Sequence, residues 1–212
     1  MAVLLHIDSS PMGEASISRS LTEEFVANWR SANPQGRVIT RDLAATAIPV
    51  IDAAWVAANF TPKESRTPQQ NDILALSTEF TTELLRADEY ILGLPVHNWS
   101  PAASFKLWVD QIVRFGETLA VTPSGPRGTL DQKRATFVIA AGTVYDPASP
   151  NAIRNSVEPW LRKLFSYLGV RKMQFILADG AAQVRFGRID RAAFLAPHIE
   201  AIHALFAQTI TS

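Results

Sequence analysis

Five short runs of apolar or alternating residues, each followed by a segment with helical spacing, constrain this chain more than any other feature. The runs span residues 3–7, 37–41, 90–94, 135–141 and 173–178. After the first, Leu21, Phe25, Val26 and Trp29 recur at helical spacing from Ser18, and Asn33-Pro-Gln-Gly36 supplies a stop. Thr67-Pro-Gln-Gln70 opens a second helix, with Ile73, Leu74, Leu76, Phe80, Leu84 and Leu85 apolar. Further helices are expected over 104–114, 153–168 and 189–208. Between Leu43 and Pro68 there is no strong period, and Pro49, Pro62 and Pro68 interrupt the chain. That stretch reads as a long excursion with short helical pieces, a form that often serves as a lid.

Strands that alternate with helices pair in parallel, because a parallel pair needs a crossover, and right-handed crossovers lay helices on both faces of the sheet. The expected architecture is therefore α/β: a doubly wound, five-stranded parallel sheet of flavodoxin-like order 2-1-3-4-5 with helices on both faces. Ligands of such sheets sit beyond the carboxyl ends of the strands near the switch in strand order. Here that places a site on the loops that begin near Ser9, Pro95 and Ala140. A chain of 212 residues, 47% hydrophobic, fits one domain over 1–212, since a single core can grow to roughly 250 residues.

Charge and composition narrow the function. Lys plus Arg and Asp plus Glu number 20 each, so no net field favours nucleic acid or an anionic membrane, and small molecules or protein surfaces are the expected partners. There is no Cys, which removes disulfides, thiolate catalysis and Cys-ligated metal sites. No run approaches the ~20 apolar residues of a membrane span, the N-terminus lacks a signal-peptide pattern, and a soluble cytoplasmic protein is expected.

The three loops carry distinct chemistry. Residues 9–18 offer four hydroxyls and a run of backbone N–H groups before a helix, a cradle suited to a monophosphate, although Ser16 or Ser18 as a simple N-cap explains the same pattern. No Walker A or Gly-x-Gly-x-x-Gly fingerprint is present. Pro95-Val-His-Asn-Trp99 brings backbone polar groups, a carboxamide and an indole, with an ordinary turn Asn and core Trp as the local alternative. Ala140-Ala-Gly-Thr143 ends the fourth strand, where Gly142 is also explicable as a turn glycine. Trp108, Phe115, Trp160, Phe165 and Tyr167 read as core or interface residues, and His198 and His203, five apart, do not share a helix face, so no metal site is expected. Asp8 alone makes no receiver-type acidic pocket. Ser10 sits in no Gly-x-Ser-x-Gly elbow.

Ser10 with Ser16-Ile17-Ser18, Arg41-Asp-Leu-Ala-Ala45 with Ile48-Pro-Val-Ile-Asp52, Pro95 with Asn98, Lys106, and Gly116-Glu-Thr-Leu119 with Gly125-Pro-Arg-Gly128 together span the chain. In this combination the sequence resembles the FMN-dependent NADH:quinone oxidoreductase and azoreductase family. The resemblance implies FMN phosphate contacts at Ser10, Ser16, Ile17 and Ser18, and isoalloxazine contacts at Pro95, Val96, His97, Asn98 and Trp99, with a further edge at Ala140, Ala141, Gly142 and Thr143. Many members carry Ser-Arg-Gly-Gly at that last loop; the Arg is absent here, which leaves the flavin's pyrimidine edge to backbone N–H groups.

The resemblance further implies a homodimeric enzyme that passes two electrons from NADH or NADPH to quinones and azo compounds in ping-pong order, with no catalytic side chain because FMN carries the chemistry. His97 stands where the family usually has Tyr and is read as a solvated loop histidine rather than a catalytic base. Two rivals remain. A flavodoxin-type one-electron carrier would bind FMN too, but such carriers are usually acidic, unlike this balanced chain. A non-catalytic regulatory module on the same fold is the other, since fold alone does not fix function.

Overall fold

The computed structural model describes residues 1–145, 148 and 150–207. Its central sheet holds the parallel strands β1 (Val3–Asp8), β2 (Arg37–Asp42), β3 (Glu89–His97), β7 (Arg134–Ala140) and β8 (Lys172–Ala178). Their order is β2-β1-β3-β7-β8, which is 2-1-3-4-5 when the parallel strands alone are counted. Three short strands lie outside that count. β4 (Ser100–Pro101) turns back on the end of β3, while β5 (Leu119–Thr122) and β6 (Gly125–Gly128) form a separate hairpin.

The helices are α1 (Ile17–Ala32), α2 (Ala53–Phe60), α3 (Pro68–Ile73), α4 (Ala75–Arg86), α5 (Ala103–Ile112), α6 (Val157–Tyr167), α7 (Ala182–Arg185) and α8 (Arg191–Ala207). One face of the sheet carries Leu4, Ile91, Val138 and Ile176 against Leu21, Phe25 and Trp29 of α1 and Phe194, Leu195 and Ile202 of α8. The other carries Leu5, Ile7, Tyr90, Leu92, Phe137 and Ile139 against α4, α5 and α6, with Phe80, Phe105, Trp108 and Phe165 fully covered. Alternate residues of one strand thus serve opposite layers, the period-two consequence of a pleated sheet buried on both faces.

Several boundaries differ from the sequence expectation, each for a local reason. The helix expected from Thr67 is broken at Leu74 into α3, with a Thr67–Gln70 capping box and Pro68 at its first turn, and α4. The helix expected over 153–168 begins only at Val157, after a 3₁₀ turn at Ala152–Arg154. The expected final helix starts at Arg191, with Asp190 accepting from the N–H groups of Ala192 and Ala193 as its cap, while its expected end, Gln208, lies outside the described residues. The 43–68 excursion contains α2, capped by Asp52, and a 3₁₀ turn. It is tied down by Gln111 of α5, whose carboxamide accepts from the Trp55 indole at 2.8 Å and donates to the Pro49 carbonyl at 3.0 Å.

The β5–β6 hairpin had no counterpart among the expected strands. It is anchored at Gly128, where a Cβ would come within 2.0 Å of the Leu168 backbone, so only a glycine lets the hairpin close on the end of α6.

Candidate functional site

Parallel register brings three loop starts side by side at the carboxyl edge of the sheet. Asp8 pairs with Gly93, Pro95 with Ala140 and Ala140 with Ala178, so the chains leaving β1, β3 and β7 emerge next to one another. Ser9 locks the first two together: its N–H and its hydroxyl both donate to the Gly93 carbonyl, at 3.1 and 2.9 Å. Gly93 is required there, since a Cβ would meet Asp8 Oδ1 at 2.4 Å.

The first loop runs through a 3₁₀ turn, Gly13–Ala15, into α1. Ser16 is the N-cap, its hydroxyl accepting from the Arg19 N–H at 3.3 Å, so the capping alternative holds for Ser16 and not for Ser18. Ser18 is fully buried and its hydroxyl lies 3.2 Å from that of Ser16. Ser10, also buried, accepts from the Met12 N–H. The N–H groups of Ile17 and Ser18, at the first two helical positions, have no intrahelical acceptor and no other partner among the described residues. Hydroxyls and free N–H groups at the positive end of α1 make a polar cluster able to offer several donors to an anion.

That cluster is braced from below by charge. Arg19 donates to the Ser10 carbonyl through Nε and Nη2 at 3.0 and 2.7 Å, and pairs with Asp42 at 2.7 Å. Asp8 lies 3.7 Å from Arg19 and takes a hydrogen bond from Thr22 at 3.0 Å, with His6 Nε2 3.0 Å from its other oxygen. Burial works to raise the Asp42 carboxyl, but the Arg19 hydrogen bond and charge, with the N–H groups of Ala44 and Ala45, hold it below the usual carboxylate range. Both carboxylates are therefore occupied by cationic or hydroxyl partners.

The second loop is a hairpin turn. Val96 pairs with Pro101 and His97 with Ser100, leaving Asn98 and Trp99 as a two-residue connection. Both have positive φ, 51° and 61°, the signature of a type I′ turn. Asn tolerates that region and Trp does not, so Trp99 is strained. Its indole is 55% exposed, its carbonyl accepts from the Ser156 hydroxyl, and Arg154 sits over its ring at 5.9 Å. On its flank, Trp99, Pro101, Lys106, Val157 and Trp160 line a 310 Å³ cavity in which the Lys106 ammonium is held by Asp110. A 460 Å³ groove elsewhere, between α1, α8 and the opposite ends of β7 and β8, touches none of these loops.

In the third loop the Ala141 methyl is buried, and its N–H and carbonyl are used by Ala178 and Ala181. The carbonyls of Gly142 and Thr143 accept from Ala182 and Gly180, which leaves the N–H groups of Gly142 and Thr143 without partners among the described residues. Sequence reasoning had no reason to single out the segment that donates these bonds. Gly180 through Arg191, including α7, lines the third loop, and Arg191 reaches the first, donating from Nη2 to the Glu14 and Ser16 carbonyls at 3.0 and 3.2 Å and to the Ser20 hydroxyl at 2.7 Å. The sole available signal was a cation at a helix start, opposite to the usual dipole preference.

Comparison with known proteins gives three concordant results. A family model described as the flavodoxin-like fold matches residues 2–205. A protein of Burkholderia lata named FMN-dependent NADH:quinone oxidoreductase 3 is 63% identical over 207 residues, covering 98% of this chain and 100% of its own. One of Acidobacterium capsulatum, named FMN-dependent NADH:quinone oxidoreductase, is 47% identical over 202 residues, covering 95% and 98%. Among solved structures, an azoreductase from Bacillus anthracis superposes with a TM-score of 0.86 at 21% identity, covering 98% of this chain and 100% of that one. At that identity the superposition establishes the fold.

Proposed function

The chain belongs to the FMN-dependent NADH:quinone oxidoreductase family on the flavodoxin-like fold, and from that premise we propose that its three-loop site binds FMN and passes two electrons from NADH or NADPH to quinones and azo compounds. The observation that carries the reading is the cluster of hydroxyls and free N–H groups at Ser10, Ser16, Ile17 and Ser18 beside the Asn98–Trp99 turn. Its free N–H groups and hydroxyls match a phosphate, its nearby carboxylates are already paired, and an exposed indole stands at the adjacent loop.

In this reading, the α1 N-terminus holds the phosphate. Pro95 through Trp99 position the ring, and the N–H groups of Gly142 and Thr143 face its electron-rich edge in place of the Arg found in many relatives. FMN, when bound, supplies the hydride-accepting and two-electron-donating chemistry. The chain contributes orientation and no side-chain base. Nucleotide and acceptor use one surface in turn, which makes the kinetics ping-pong. The whole chain acts as one domain, in the cytoplasm. No helix among the described residues is long and apolar enough to cross a membrane.

We further propose a homodimer. Trp108 is buried in the core, so the support comes from the excursion, which leaves Val50, Val56 and Phe60 exposed at 75%, 42% and 65%. Sedimentation at micromolar concentration tests it: a fully active monomer rejects the dimer.

The test of function is the absorption spectrum of purified protein with and without anaerobic NADH. The expected result is yellow protein with about one FMN per chain, bleached by one equivalent of NADH, with parallel double-reciprocal lines for quinone reduction. Colourless protein that does not take up added FMN rejects the enzyme. A persistent radical signal during the titration moves the reading to a one-electron carrier.

A further inference from the structure

We infer that Arg191, from the start of α8, is a positioning residue for the phosphate cradle; this rests on the proposed FMN site. Arg191 opens α8, more than 170 residues along the chain from the loop it holds. One guanidinium nitrogen gathers three acceptors: the carbonyls of Glu14 and Ser16 and the hydroxyl of Ser20. The Ser16 carbonyl also accepts from the N–H and the hydroxyl of Ser20, at 3.3 and 3.1 Å, so the N-cap residue is fixed from two sides.

The orientation has a direct consequence. In a trans peptide the C=O and N–H vectors are antiparallel, and there are no cis peptides among the described residues. Turning the Ser16 carbonyl toward Arg191 therefore turns the Ile17 N–H, a free donor at the first position of α1, the opposite way, off the guanidinium and toward the open side of the cradle.

Charge makes Arg191 different from Arg19, the other arginine at this loop. Arg19 is compensated by Asp42 and Asp8. Arg191 has no carboxylate within salt-bridge distance among the described residues, and its Nε is buried without an acceptor. It thus adds a positive charge at the mouth of α1 that no carboxylate among the described residues pairs, while the segment that leads into it, Gly180 through Asp190, carries the N–H groups that hold Ala141, Gly142 and Thr143. One connection fixes both outer loops.

The test is titration of the apoprotein with FMN and with riboflavin, followed by flavin fluorescence at several salt concentrations, for wild type, Arg191→Gln, Arg191→Lys and Ser20→Ala. We expect Arg191→Gln to weaken FMN about tenfold, the scale of a charge-assisted hydrogen bond, to change riboflavin less than twofold and to flatten the salt dependence of FMN binding. Arg191→Lys should restore the salt dependence with part of the affinity. Ser20→Ala, milder for the fold, should weaken FMN by about two- to threefold and spare riboflavin. Equal losses for both flavins, an unchanged FMN affinity, or a salt dependence in Arg191→Gln equal to wild type would each overturn the inference. Wild-type protein that binds neither flavin would instead reject the proposed function on which it rests.

Discussion

The first loop and the second lie on neighbouring strands and face one site, yet they are built by opposite means. Around Ser10, Ser16 and Ser18 the shape is imposed by side chains: two arginines hold carbonyls, two carboxylates hold one of the arginines, and the three serines are buried. Around Asn98 and Trp99 the shape is imposed by backbone, a two-residue turn in the left-handed region with an indole left in solvent. A tetrahedral anion needs several donors aimed at one point, and only a braced network keeps them aimed. A flat ring needs a surface and an edge, which a turn can present with few side-chain contacts. The two ends should therefore fail differently.

The sharpest way to break that contrast is at Arg19. We predict that Arg19→Ala lowers the unfolding free energy of the apoprotein by about 2–3 kcal/mol, because Asp8 and Asp42 lose their shared cation and Ser10 its double anchor. Urea denaturation measures it; a loss below about 0.5 kcal/mol would mean the network is ornament. Next, Ser16→Ala removes the α1 cap and a phosphate donor together, and should weaken FMN by about 1–2 kcal/mol while leaving riboflavin nearly unaffected. Parallel loss of both flavins would show that Ser16 acts only as a cap.

Trp99→Gly probes the other end with the reverse sign. Relief of a non-glycine φ of 61° is worth about 1–2 kcal/mol, and the indole is more than half exposed, so thermal unfolding should show a protein stabilised by about 1 kcal/mol. FMN and riboflavin should then weaken together. A destabilised variant would mean that the indole's contacts with Arg154 and its neighbours outweigh the strain.

The smallest effect is expected with acid. Asp42 titrates below its unfolded value, so its contribution is complete above about pH 4 and fades as pH falls through the lowered folded value. The stability gap between wild type and Asp42→Asn should be constant near neutrality and close in acid. A gap that instead opens in acid would remove Asp42 from the bracing network.

Much of this was legible in the chain. Residues 3–7, 37–41, 90–94, 135–141 and 173–178 have the apolar or alternating pattern of strands buried in a sheet, the crossovers implied parallel pairing, and the count of five strands suggested the order that the structure has. The loop starts at Ser9, Pro95 and Ala140 followed in turn from the order. The β5–β6 hairpin escaped because Leu119–Thr122 and Gly125–Gly128 are four residues each, too short for a period to show, and the second is mostly Gly and Pro. The break at Leu74 escaped because Leu is an excellent helix former, and its conformation is set by packing against Trp55 and Ala58. His97 is exposed, in keeping with its reading as a histidine satisfied by solvent, but it stands at the end of β3 paired with Ser100 and not in the loop, because the strand's end depends on where pairing stops.

What the sequence determined by itself was therefore what local period and punctuation carry: the five parallel strands, the main helices between them, and the three loop starts at the carboxyl ends of those strands. Burial on two faces writes those patterns into neighbouring residues. The tertiary structure alone decided which serine caps α1, that Ala141 turns inward while Gly142 and Thr143 keep free N–H groups, and that Arg191 reaches back to Ser16. These depend on contacts between residues far apart in the chain. The direction of one carbonyl or one guanidinium leaves no periodic trace in the residues beside it.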